Sequence, residues 1–132
     1  LLLAISFFRV LNRVTAIRMG SGLLFLGVVL GAFGAHGLEQ VLEDNKRAET
    51  WETAVLYHLV HGLALLVMGL FPTPPRGVCI SFIAGTLLFS GSLYVLSLTN
   101  ITKLGIVTPF GGMAFLAGWG ILVFRAGALV KR

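Results

Sequence analysis

Charge is what this sequence lacks over most of its length. Among 132 residues only 11% are Asp, Glu, Lys or Arg, against 57% hydrophobic residues and a mean hydropathy of +0.96. A water-soluble domain draws about a quarter of its residues from the charged set, so a soluble fold is excluded on surface alone. Cysteine is nearly absent. Cys79 stands alone, which rules out an internal disulfide and leaves no thiol pair for a metal or redox motif. Acid is missing everywhere except one segment, since Glu39, Glu43, Asp44, Glu49 and Glu52 are the whole complement. Neither paired interior carboxylates nor a nucleophile with an adjacent base can be assembled. No Gly-rich fingerprint follows a strand, so a phosphate-binding loop is excluded too.

Four long apolar runs fill the chain instead. Met19 to Leu38, Thr53 to Pro75, Gly77 to Thr102 and Leu104 to Phe124 contain no Lys, Arg, Asp or Glu. Each can cross roughly 30 Å of hydrocarbon as a helix of about 20 residues. Transmembrane strands would be about half as long and would alternate apolar with polar residues, which these runs do not. The expected fold is all-α, an integral membrane four-helix bundle with spans at about 20–38, 53–71, 77–98 and 104–125, forming one domain over 19–132. The net charge of +5 follows the membrane rule, and without an aromatic-interleaved basic patch no nucleic-acid partner is expected.

Lys and Arg are retained in the cytoplasm during insertion. Arg9, Arg13, Arg18, Arg76, Arg125, Lys131 and Arg132 fall on one side of the four spans, and Lys46, Arg47 and Lys103 on the other. Both termini are therefore expected inside, with the acidic segment outside. The pattern of Leu38, Val41 and Leu42 predicts a short exterior helix between spans one and two. Residues 1–18 are too short to span and carry three arginines; they read either as a basic amphipathic helix on the inner leaflet or as a targeting remnant ahead of Met19.

Small residues mark the packing faces. Gly27 and Gly31 in span one, extended by Gly34, have the small-xxx-small spacing that lets helix backbones approach. Gly62 in span two, Gly85 in span three, and Gly111 and Gly118 in span four line corresponding faces. Trp51 and Tyr57 fit an interfacial aromatic belt, and Trp119 with Arg125 is expected near the inner boundary. The dense prolines of Phe71 to Arg76 make a turn, and Thr108-Pro109 is either a kink or, as favoured here, a helix start with Thr108 as cap.

Alternating spans gather one polar set in the exterior half: His36, His58, His61, Ser90, Ser92, Tyr94 and Thr108. Ionisable groups inside a membrane are by default a functional-site hypothesis, and three imidazoles suit a metal or proton path. The reading favoured over that one is that an interior histidine simply bonds a hydroxyl or carbonyl of the next helix. His36 lies about 180° from Gly27 on an ideal helix, which weakens the metal reading. No metal or cofactor is expected.

Gly31-Ala-Phe-Gly-Ala-His-Gly37, the Thr-Ala-Val-x-Tyr-His-x-x-His run ending at His61, Phe89-Ser-Gly-Ser-Leu-Tyr94, and Thr108-Pro-Phe-Gly-Gly112 with Gly118-Trp119 occur in that order. In these pieces, spread over Met19 to Phe124, the chain resembles the bacterial and mitochondrial-type membrane family known as domain of unknown function 423. The resemblance implies a small four-helix membrane protein of a bacterial plasma membrane or related organellar membrane, and supplies no activity. The expected role is a non-enzymatic accessory or scaffold subunit, partnered by the bilayer and by other membrane subunits or copies of itself. The alternative is a transporter or channel subunit, or a small-ligand or metal-binding protein, built on the histidines.

Overall fold

The computed structural model describes residues 11–131. With no water to serve them, backbone polar groups in hydrocarbon must bond within their own segment, and each apolar run closes into helix. Helix α1 (Arg13–Ala35) starts at Asn12, whose side-chain oxygen accepts from the Thr15 N–H at 2.9 Å and so satisfies one of the donors left over at a helix start. A short α2 (Glu39–Asp44) leads to α3 (Ala48–Met68). The third rod is continuous but built in pieces: α4 (Arg76–Gly85), a π turn (Thr86–Ser90) and α5 (Gly91–Thr99), ended by Asn100 in the left-handed region at φ 55°. A 3-10 turn (Thr102–Ile106) precedes α6 (Thr108–Val130). There is no strand among the described residues. Four rods, Arg13–Ala35, Ala48–Met68, Arg76–Thr99 and Thr102–Val130, are long and apolar enough to cross a membrane.

The four rods agree with the expected spans in number and order, and in the first two the helix begins ahead of the charge-free run. The helix that contains span one begins at Arg13, so Arg13 and Arg18 belong to the same rod. The amphipathic segment expected over residues 1–18 falls in its first ten residues outside the described chain. Span two begins at Ala48, five residues ahead of the charge-free window, because Glu49 and Glu52 lie on an exposed side of the helix and do not interrupt it. The expected short helix between spans one and two is α2. Thr108-Pro109 is a helix start, with Pro109 in the first turn, but Thr108 is not its cap: Val107 holds that position and makes no side-chain cap bond.

The two middle rods carry the core. Of the spanning windows, 44% of span two and 39% of span three is buried, against 17% for span one and 11% for span four. Span one packs along α3, and α6 packs along α4 and the π turn. Leu65, Met68, Val78, Cys79, Phe82 and Phe115 form the buried centre.

Glycine sets the two seams, though not at the spacing the sequence suggested. On α1 the close approaches are at Gly20, Gly27 and Gly34, seven residues apart. A Cβ on Gly20 would lie 2.7 Å from the Leu66 Cα, one on Gly27 would lie 2.6 Å from Leu59 Cδ2, and one on Gly34 would strike the Trp51 indole. Gly62 and Gly69, also seven apart, answer from α3 against Leu23 and Ile17. A seven-residue repeat is the period of left-handed helix pairs, whereas the Gly27/Gly31 spacing is that of right-handed ones. Gly31 is not a close-approach position, since a Cβ there would meet Val55 at an ordinary 3.4 Å. On the second seam, Gly85 receives the Phe115 ring, Gly111 sits on the Phe89 backbone and Gly118 takes the edge of Phe82.

Candidate functional site

Helix α3 has 21 residues, about 31 Å at 1.5 Å per residue. Because it starts at Ala48, His58 lies at its midpoint and His61 just beyond, deeper than the helix start the sequence reading gave them. Both are buried, at 2% and 4% exposure. His36 is elsewhere. It closes the end of α1 on an exposed surface beside Phe33 and Gly37, level with the start of α3, and it does not join the other two.

His61 is held from three directions. Its Nδ1 lies 2.8 Å from the Tyr57 carbonyl, one turn back on α3. Its Nε2 accepts from the Trp119 indole N–H at 3.0 Å. Its ring lies flat on Phe115, with centroids 3.5 Å apart and planes 11° apart. An indole nitrogen can only donate and a carbonyl can only accept, so the partners fix the tautomer: Nδ1 carries the proton and Nε2 is the acceptor. A metal ion or a second proton at Nε2 would have to displace Trp119.

His58 has one settled contact, between Nδ1 and the Tyr94 hydroxyl on α5 at 2.9 Å. Its Nε2 is buried and faces the Leu23 backbone on α1 without a hydrogen bond of good geometry. If Tyr94 donates, the imidazole proton sits on Nε2 and points at that backbone, which leaves fewer groups unsatisfied than the reverse arrangement.

The remaining members of the set tie helices together. Ser90 donates to the Ala54 carbonyl of α3 at 2.8 Å and is fully buried. Ser92 and Thr108 share a hydroxyl pair at 2.7 Å between α5 and α6. The π turn lies between Thr86, which bonds back to Phe82 at 2.8 Å, and Ser90. One extra residue in a turn shifts the phase of everything after it, and such turns recur at functional positions. The structure therefore brings Ser90, Ser92, Tyr94, Thr108, His58 and His61 to helix interfaces, but as separate pairs. No group of three or more His, Cys, Asp or Glu suited to a metal occurs among the described residues.

Both tryptophans expected at membrane boundaries donate to acceptors on neighbouring helices. Trp51 is 3% exposed and gives its N–H to the Leu30 carbonyl at 3.0 Å, pinning α3 to α1. Trp119 stands halfway along α6 as the donor to His61, a role that composition could not reveal and that the Gly118-Trp119 pair only flagged. At the end of the bundle that carries the acidic loop, the Asn45 amide donates to the Ser97 and Leu98 carbonyls at 2.9 and 3.2 Å. Arg47 donates to Asn100 at 3.0 Å beside them.

A family model described as "Protein of unknown function (DUF423)" matches residues 30–112. The chain belongs to the DUF423 family. Curated relatives agree. The UPF0382 membrane protein YwdK of Bacillus subtilis is 45% identical over 108 residues, covering 76% of this chain and 86% of the relative. The UPF0382 membrane protein SH2409 of Staphylococcus haemolyticus is 42% identical over 110 residues, covering 80% and 88%. No solved structure matches. This DUF423 chain is thus a multi-pass membrane protein of bacterial type. The family match takes in His58, Tyr94, Ser90 and the Ser92–Thr108 pair, and ends before Phe115 and Trp119.

Proposed function

We propose that this DUF423 protein is a non-enzymatic accessory or scaffold subunit of a membrane assembly, inserted with both ends in the cytoplasm and the acidic loop outside. The observation that carries the reading is the bareness of the outer rods. On α6, a Cβ at Gly120 or Gly127 would meet nothing within 4 Å, and Leu116, Val123 and Phe124 around them are 73%, 73% and 88% exposed. Lipid satisfies such a face, but small residues among large ones are also where a second membrane helix approaches closely. The interior polar groups support the same reading, since most are engaged with neighbouring helices rather than aimed into a common space. Native mass spectrometry of gently extracted membranes tests it. The expected result is a complex, with copies of itself or other subunits, that Gly120→Leu and Gly127→Leu dissolve; a free monomer in wild type overturns it.

A second reading, a ligand or proton site on the histidines, rests on the buried Nε2 of His58 and the π turn across from it. Its test is uptake or binding by a His58→Gln variant, and normal behaviour of that variant removes its basis.

A further inference from the structure

A cleft of about 340 Å³ lies between α1, α2 and α3 at the acidic end of the molecule. On α1 it is lined by Gly31, Gly34 and Ala35, with the Trp51 indole packed over Gly34, and on α2 by Leu42. Along α3 it runs from Ala48 to Leu59, about 16 Å at 1.5 Å per residue, so the cleft is elongated along that helix. Val55, Leu56 and Leu59 make the wall apolar, and Trp51 adds indole surface without a free donor, because its N–H is given to Leu30.

One ionisable group lines this cleft, Glu52, about 6 Å along α3 from its first residue. Its carboxylate is exposed, and no hydrogen bond or ion pair to it is found among the described residues. The surroundings are also negative. Glu39, Glu43, Asp44 and Glu49, on α2 and the first turn of α3, are exposed, against Lys46 and Arg47, and Arg47 is engaged with Asn100. A carboxylate beside hydrocarbon gains from a counter-ion, and a mouth of one sign concentrates the opposite charge.

We propose that this cleft is a binding site for a cationic amphiphile, an alkyl ammonium compound that enters from the lipid with its chain along α3 and its head paired to Glu52. Length and apolar walls select the chain. Charge selects the head, because a phosphate or sulfate would be repelled by the Glu52 carboxylate, while an ammonium pairs with it. The inference is independent of the assembly proposed above.

The test uses the whole chain in phosphatidylcholine nanodiscs, titrated with a bromoalkyl trimethylammonium while tryptophan emission is followed. An alcohol and a sulfate of the same chain length serve as controls. Saturable quenching by the ammonium is expected, with little saturable component for the sulfate. Glu52→Gln, an exposed substitution that leaves both seams untouched, is expected to weaken the ammonium about tenfold. Gly31→Leu fills the cleft and is expected to abolish saturation. Should that variant misfold, dodecyltrimethylammonium raising the wild-type thermal midpoint but not that of Glu52→Gln is the equivalent result. Quenching that rises linearly and alike for all three head groups would show partition into lipid alone and overturn the proposal, as would a Glu52→Gln titration matching wild type.

Discussion

Replacing Trp119 by phenylalanine removes the N–H that faces His61 Nε2 and leaves that acceptor in the middle of a rod, shielded from water. Hydrogen bonds between membrane helices average about 0.6 kcal/mol and reach about 1.7. A buried acceptor stripped of its donor costs about 1–3 kcal/mol. Trp119 is 40% exposed, so the change in packing adds little, and the expected loss is about 1–2 kcal/mol. His61→Phe creates the mirror problem, because it strands the indole N–H while keeping the flat stack on Phe115. The double variant has neither polar group and is expected to recover part of the loss, giving a coupling energy of about 1 kcal/mol. The measurement is reversible unfolding of the four proteins in mixed detergent micelles. If the two single losses simply add to within about 0.3 kcal/mol, the bond does not hold α3 to α6 and the neutral, locked reading of His61 fails.

Gly111→Ala drives a methyl into the Phe89 backbone, which has no flexible end to yield, and should cost about 1–3 kcal/mol in the same unfolding assay. Gly120→Ala, with open space around it, should leave unfolding unchanged to within about 0.5 kcal/mol. Ser92→Ala removes the hydroxyl pair with Thr108 and is expected to cost about 0.6–1.7 kcal/mol, with Ser92→Ala/Thr108→Val no worse than the single change. For sidedness, Gln40→Cys in a Cys79→Ser background should react with an impermeant maleimide added to intact cells, and Lys131→Cys should react only after permeabilisation. The reverse pattern would invert the topology proposed from charge.

The spans were legible because hydrocarbon leaves charge-free runs of a fixed length, and that signal survives without any tertiary knowledge. The ends were not, because a helix can carry acids on an exposed side: Glu49 and Glu52 lie in the first turns of α3 yet break the run on which the reading depended. The helix therefore extends ahead of the charge-free run, and His58 lies at its midpoint. Glycine positions were legible as packing residues, with Gly27, Gly62, Gly85, Gly111 and Gly118 all at close approaches. Their period was not, because a chain rich in glycine offers four-residue and seven-residue stripes together, and only the partner helix chooses. The π turn left no trace in composition. The bonds of Trp51 to Leu30 and of Trp119 to His61 left no trace either, as an indole serves equally at a lipid boundary or wherever an acceptor lies on the next helix.

What selects one register among the rods follows from comparing the two kinds of contact. Lipid is as apolar as leucine, so burying side chains between helices gives little net drive, and neither seam could choose its register on area. A slip by one turn moves residues about 5.4 Å along the axis. At the glycine seam it would bring Phe115 off Gly85 and Phe89 off Gly111 onto residues that carry side chains, an overpacking worth about 1–3 kcal/mol. The same slip separates His58 from Tyr94, Ser90 from the Ala54 carbonyl and His61 from Trp119, and each buried group stranded costs about 1–3 kcal/mol. Each hydrogen bond is weak when made and expensive when missed. This asymmetry lets polar side chains act as a lock on alignment, and it accounts for His61 without any ligand. It does not account for Glu52, which has no hydrogen bond or ion pair among the described residues.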